Sequence, residues 1–236
     1  MVIPQPTCPQ DELSAIHCPR ALLLDLDGVL FDTRVVMCKA WQLVQERHNV
    51  AASFEEYLQH VGRPFPDIMR QLGLRDAELL HTTYDEASVR WADLAPPFPG
   101  IKAALRAFIE DGWSLGVVTA KPLNRAAPLL ERLGCPFGTV RTPGSERGKP
   151  APDALLLALV ELGVDPAHAI YVGDMAVDQE AALRAGVRYV HAGWGYGTPT
   201  PPAPTIAETP PRLVQIGRNL RALVETPPPA PLRSVR

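Results

Sequence analysis

The sequence predicts an α/β fold: a Rossmann-like, mostly parallel sheet with helices on both faces and an inserted α-helical cap. Three observations predict it. Short apolar runs bounded by turn signals recur at Ala21–Leu26, Ser114–Thr119, Ala169–Val172 and Val187–His191, each apolar enough to be a strand covered on both faces. Helical patterns alternate with them at Gly100–Asp111, Leu123–Leu133, Pro152–Leu162 and Ala176–Ala185, and such alternation implies parallel strands joined by right-handed crossovers. Residues 34–94, by contrast, read as helix throughout, directly after the first strand.

Taken in order, the first apolar run ends in LLLDLDGVLFDT, where a strand drives straight into paired carboxylates and a glycine. Four helical patterns follow, VVMCKAWQLVQERH, FEEYLQHV, FPDIMRQLGL and AELLHTTYDEASVRWADL, before PPFPG at 96–100 returns the chain to the alternating pattern. The last three helices of that pattern are followed by Gly134, Gly163 and Gly186, the residue expected just past a helix C-terminus. The expected organisation is therefore an α/β core over 20–33 and 95–226 and a helical cap over 34–94. Tails are expected at 1–19 and 227–236, and the Pro-rich stretch 198–211 is expected to be an extended surface segment.

Composition excludes several classes. A formal net charge of -3 over 236 residues gives no basic field for nucleic acid and no polybasic anchor for a membrane. The N-terminus lacks the basic and apolar regions of a signal peptide, and no apolar run approaches the roughly 20 residues needed to span a bilayer. Cys8, Cys18, Cys38 and Cys135 show no metal-ligand spacing and are expected to be reduced thiols in a cytoplasmic protein, a monomer or homodimer. The six histidines likewise show no ligand spacing and are read as structural or surface groups.

In open α/β sheets ligands bind beyond the carboxyl ends of the strands. That rule gathers Asp25 and Asp27, Thr119, Lys149 and Asp174 at one edge. Three carboxylates there would repel one another unless neutralised, and Mg²⁺, which takes carboxylates together with phosphate oxygens, is the natural partner. With a hydroxyl and an ammonium added, the set suits a dianionic phosphoryl group. Asp25 is placed to attack phosphorus as a nucleophile, and Asp27 to protonate the leaving alcohol and later deprotonate water. Gly28 would let the backbone approach the phosphate. Ala120 and Lys121, beside Thr119, are also placed at the substrate. In VGRPFPD, Arg63 lies on a turn between helices that could aim a guanidinium at a phosphate or carboxylate. Trp194 is a candidate for the cleft entrance.

The stretches DLDGVLFDT, VVTAKP, GKPAPDALL and GDMAVDQEAALRAG resemble, in order, the four motifs of the haloacid dehalogenase superfamily. The position of the helical insertion resembles that of its phosphoglycolate phosphatase and β-phosphoglucomutase subgroup. The resemblance implies Asp25 as nucleophile and Mg²⁺ ligand, Asp27 as acid/base with its carbonyl on the metal, and Thr119 and Lys149 on the phosphoryl group. It also implies Asp174 as Mg²⁺ ligand, with Asp178 supporting the metal. Met175 departs from the Ser or Thr that many relatives carry.

The implied activity is Mg²⁺-dependent hydrolysis of a small phosphate monoester through an aspartyl-phosphate. A dehalogenase would lack the second aspartate, which Asp27 supplies. A β-phosphoglucomutase-type phosphomutase and a non-catalytic sugar-phosphate binder are the alternatives. The stretch 54–69 resembles phosphatases associated with 3-amino-5-hydroxybenzoate biosynthesis, which implies a sugar or amino-sugar phosphate in antibiotic biosynthesis. 2-Phosphoglycolate is the competing substrate.

Overall fold

A computed structural model describes residues 19–201 and 204–225. The expectations for most of both tails, and for Cys8 and Cys18, lie outside these residues, while Cys38 and Cys135 are free thiols.

Six parallel strands form one sheet in the order β3-β2-β1-β4-β5-β6. They are β1 (Arg20–Leu24), β2 (Trp113–Val118), β3 (Thr139–Arg141), β4 (Ala169–Gly173), β5 (Arg188–Ala192) and β6 (Thr205–Ala207). The central strands are buried along almost their whole length, and their side chains alternate between two cores, as the period-2 pleat demands. Leu22, Leu24, Leu115, Val117, Ile170 and Val172 join one hydrophobic cluster. There they meet α5 (Ile101–Glu110), α6 (Leu123–Glu131) and α9 (Pro210–Glu225). Ala21, Leu23, Val118, Ala169 and Tyr171 face the other way, onto α7 (Asp153–Leu162) and α8 (Ala176–Ala185). Helices thus cover both faces, as expected.

Between β1 and α5 the chain forms α1 (Arg34–His48), α2 (Phe54–Leu58), α3 (Phe65–Gln71) and α4 (Ala77–Arg90). These helices bury a third cluster of their own, in which Trp41 stacks on Tyr57 at 4.5 Å between ring centroids. Ser53 and Glu56 close a capping box at the start of α2, which stabilises so short a helix.

Three expectations need correction. The first strand stops at Leu24 instead of Leu26, because the carbonyl of Leu26 accepts from the amides of Leu30 and Phe31 and turns the chain back on itself. The short strands β3 and β6, of three residues each, carry too little pattern to be seen in the sequence. The stretch 198–211 is more than a surface segment. It supplies β6 at the sheet edge, buries Ala207, and opens α9 with Pro210 and Pro211, prolines being tolerated in a first helical turn.

Candidate active site

The carboxyl ends of the central strands converge. Asp25 follows β1, Thr119 follows β2 and Asp174 follows β4, while Lys149 reaches in from the loop between β3 and α7. All four are nearly inaccessible, Asp174 completely so.

Lys149 organises this end. Its Nζ lies 3.1 Å from Asp25 Oδ1 and 2.7 Å from Asp178 Oδ1, and it donates to the Tyr171 hydroxyl at 3.2 Å. Burial works against its charge, but Asp178 and then Asp25 outweigh burial and hold it protonated above its ordinary range. Both oxygens of Asp178 are engaged. Oδ1 accepts from Lys149 and from the Tyr171 hydroxyl at 2.9 Å, and Oδ2 from the Met175 amide at 3.0 Å. Asp178 therefore faces Lys149 and the start of α8.

Asp174 is bound on one side only. Its Oδ2 accepts from the Tyr196 amide at 2.7 Å, whereas Oδ1 is buried without a hydrogen-bond partner among the described residues. Burial, with repulsion from Asp178 and Asp25, holds its carboxyl well above the usual range. Burial likewise pushes Asp25 up to about 7, against the pull of Lys149. Carboxylate oxygens of Asp25, Asp174 and Asp178 lie within 4.8 Å of one another. Buried carboxylates this close, one with an orphaned oxygen, are short of positive charge, and a hard divalent cation bound through Asp25 and Asp174 would supply it.

Gly28 sits at φ +79°, and a Cβ there would overlap the Asp174 carboxylate. Its missing side chain makes room for Asp174, a proximity invisible in sequence because 146 positions separate the two residues.

A cavity of about 130 Å³ opens between the sheet edge and the helices. Asp25, Asp27, Thr119, Ala120 and Lys121 line its floor. Asp27 is held through Oδ1, by Lys121 Nζ at 3.1 Å and by the Thr33 hydroxyl at 2.6 Å. Burial lowers the Lys121 pKa, with Asp27 partly offsetting it. The Thr119 hydroxyl accepts from the Lys121 amide at 3.1 Å, which fixes the turn.

Arg63 lines the opposite wall. Its loop is pressed onto the core, with Gly62 against Val177 and Pro64 against Gly148. No ion pair involves its guanidinium among the described residues. Two wall residues escaped the sequence reading. His81, taken there as structural or surface, stacks on Phe65 at 4.6 Å. Arg125, on α6, places Nε 2.6 Å from Asp85 of α4 and lies over the Tyr84 ring. Neither has a motif; only the packing of helices against the core brings them here. Trp194 does not stand at the entrance: its indole donates to the Val29 carbonyl at 3.0 Å, and it packs against the main core.

Comparison with known proteins identifies the family. Residues 22–192 match the family model of haloacid dehalogenase-like hydrolases. The chain is 33% identical over 199 residues to a plasmid-encoded phosphoglycolate phosphatase of Cupriavidus necator, covering 78% of this chain and 84% of that protein. It is 31% identical over 193 residues to the N-acetylmuramic acid 6-phosphate phosphatase of Pseudomonas aeruginosa, covering 75% and 83%. A hydrolase of Pseudomonas syringae shares the fold with a TM-score of 0.76 at 22% identity, over 85% of this chain and 98% of that one. With the motifs in order and the fold shared, the chain belongs to the haloacid dehalogenase-like hydrolases.

Proposed function

We propose that the protein is a phosphatase that hydrolyses a small phosphate monoester through an aspartyl-phosphate on Asp25. The observation that carries this reading is the pairing of two differently held aspartates at the cavity floor. Asp25 is buried against Lys149, and Asp27 is tied at one oxygen by Lys121 and Thr33. A nucleophile and an acid/base need such different surroundings. The phosphatase names of the two relatives support the same class.

Mg²⁺, held by Asp25, Asp174 and the carbonyl of Asp27, would neutralise phosphoryl oxygens and leave the phosphorus open to attack. The chain's own residues do the rest. Asp25 attacks phosphorus while Asp27 passes a proton to the departing alkoxide. Thr119 and Lys149 bind the phosphoryl oxygens, and Lys149 offsets the charge that builds on them. Asp27, now a base, takes a proton from the water that attacks the aspartyl-phosphate, releasing phosphate and restoring Asp25. Asp178 and Tyr171 keep Lys149 aimed.

The small cavity fits a sugar phosphate, an amino-sugar phosphate or phosphoglycolate, with Arg63 placed for a second anionic or polar group. The test is phosphate release from a panel of these esters with Mg²⁺ and with EDTA. Selective, Mg²⁺-dependent release lost in Asp25→Asn supports the reading. No release from any ester overturns it, and isomerised sugar phosphate without release would show a mutase.

A further inference from the structure

The loop after β5 does more than fill space. Tyr196 donates its amide to Asp174 Oδ2, and its hydroxyl accepts from the Thr33 amide at 2.6 Å and donates to Asp32 Oδ1 at 3.1 Å. Its ring packs against the hydrophobic cluster of α1–α4. Thr33 is the N-cap residue of α1, the point where the chain leaves the sheet for the helices, and it is 1% exposed.

Threonine at an N-cap ordinarily turns its hydroxyl onto the first-turn amides. Here it makes no capping hydrogen bond. Its hydroxyl is diverted to Asp27 Oδ1 at 2.6 Å. The Thr33 amide is shared between the Phe31 carbonyl at 3.1 Å and the Tyr196 hydroxyl at 2.6 Å, so the local turn and Tyr196 together hold the Thr33 backbone where this is possible.

We propose that Tyr196 is a positioning residue: through Thr33 it holds the Asp27 carboxylate towards the leaving group, and it ties that orientation to the seating of the helices over the cleft. This rests on the role given to Asp27 above. The Tyr196 hydroxyl stays outside the proton transfer, since its own proton is given to Asp32.

The Tyr196→Phe variant removes the hydroxyl while keeping the ring and the amide bond to Asp174. The readout is the first-step rate in a single turnover, for an alkyl phosphate, whose alkoxide needs a proton, and for p-nitrophenyl phosphate, whose phenolate does not. A misplaced acid costs part of the 10²–10⁴-fold that such groups supply, so we expect roughly a thirtyfold loss on the alkyl ester against about threefold or less on the aryl one. Thr33→Val should reproduce the same selectivity, and the double variant should lose no more than either single one. Equal losses on both esters, or full additivity, would overturn the role of Tyr196. Should Tyr196→Phe not fold, Thr33→Val alone decides by the same ratio. A wild-type protein without turnover would instead remove the phosphatase reading, an outcome separate from equal losses in an active enzyme.

Discussion

At the sheet end of the cleft, Asp25, Lys149, Asp174 and Asp178 are each at most 4% exposed and bound to one another or to backbone. At the helical end, Arg63, His81 and Arg125 are half-buried and stand among aromatic rings, and Arg63 has no ion pair among the described residues. The first end crowds buried charge into the loops at strand ends, which suits a group common to every substrate. The second has Arg63, without an ion pair among the described residues, in a wall that Tyr57, Phe65 and Tyr84 also line, which suits what differs between substrates. On the proposed function, recognition of the phosphoryl group and recognition of its bearer would belong to separate layers of the fold.

Four measurements test that contrast. Asp25→Asn should lower turnover on the order of 10⁵-fold, as removal of a nucleophile does elsewhere, by the same factor on every ester and with an unchanged circular dichroism spectrum. Activity near the wild-type level would end the assignment. Lys149→Ala leaves Asp25 and Asp178 without their buried cation. It should cost about 3–5 kcal/mol in denaturant unfolding as well as activity, and a merely catalytic loss would show that the crowded charge does not bear on stability.

The same crowding predicts a pH dependence. Without a cation the Asp25 carboxyl sits at about 7 when folded, against 3.8 for the free group. A pKa raised by folding gives stability that is complete below the unfolded value and is lost as pH rises through the folded one. Mg²⁺ should therefore raise Tm by roughly 5 °C at pH 8 and by clearly less at pH 5.5, where it must displace protons. Equal shifts at both pH values would place the cation away from Asp25 and Asp174. The smallest effect belongs to the other end. Arg63→Ala should cost about tenfold on an ester bearing a second anion, one charged hydrogen bond's worth, and less than about threefold on p-nitrophenyl phosphate. Equal losses on both would move Arg63 out of selectivity.

Much of the charged end was legible because each part of it is local. A strand ending in Asp-x-Asp, a Thr after the next strand, a Lys before a helix and an Asp after Tyr171-Val172-Gly173 are short patterns that keep their meaning wherever the strands lie. The helical end was legible as helices and as the turn that carries Arg63, and no further. His81 and Arg125 carry no motif, and the packing of Gly28 against Asp174 is hidden because the two belong to different strands. Tyr196 lies two residues past Trp194, but its link to Thr33 exists only across the top of the sheet.

By itself the sequence determined the alternation of strands and helices, the parallel sheet and the set of groups at its carboxyl edge, because periodicity and strand ends are properties of neighbours along the chain. Tertiary structure alone decided that Asp178 turns to Lys149 while Asp174 keeps one oxygen open, and that Thr33 gives up its cap for Asp27. It also brought Arg125 to the wall of the cleft. Those choices depend on which buried groups satisfy one another across the sheet, and in a close-packed interior that is settled only when distant segments meet.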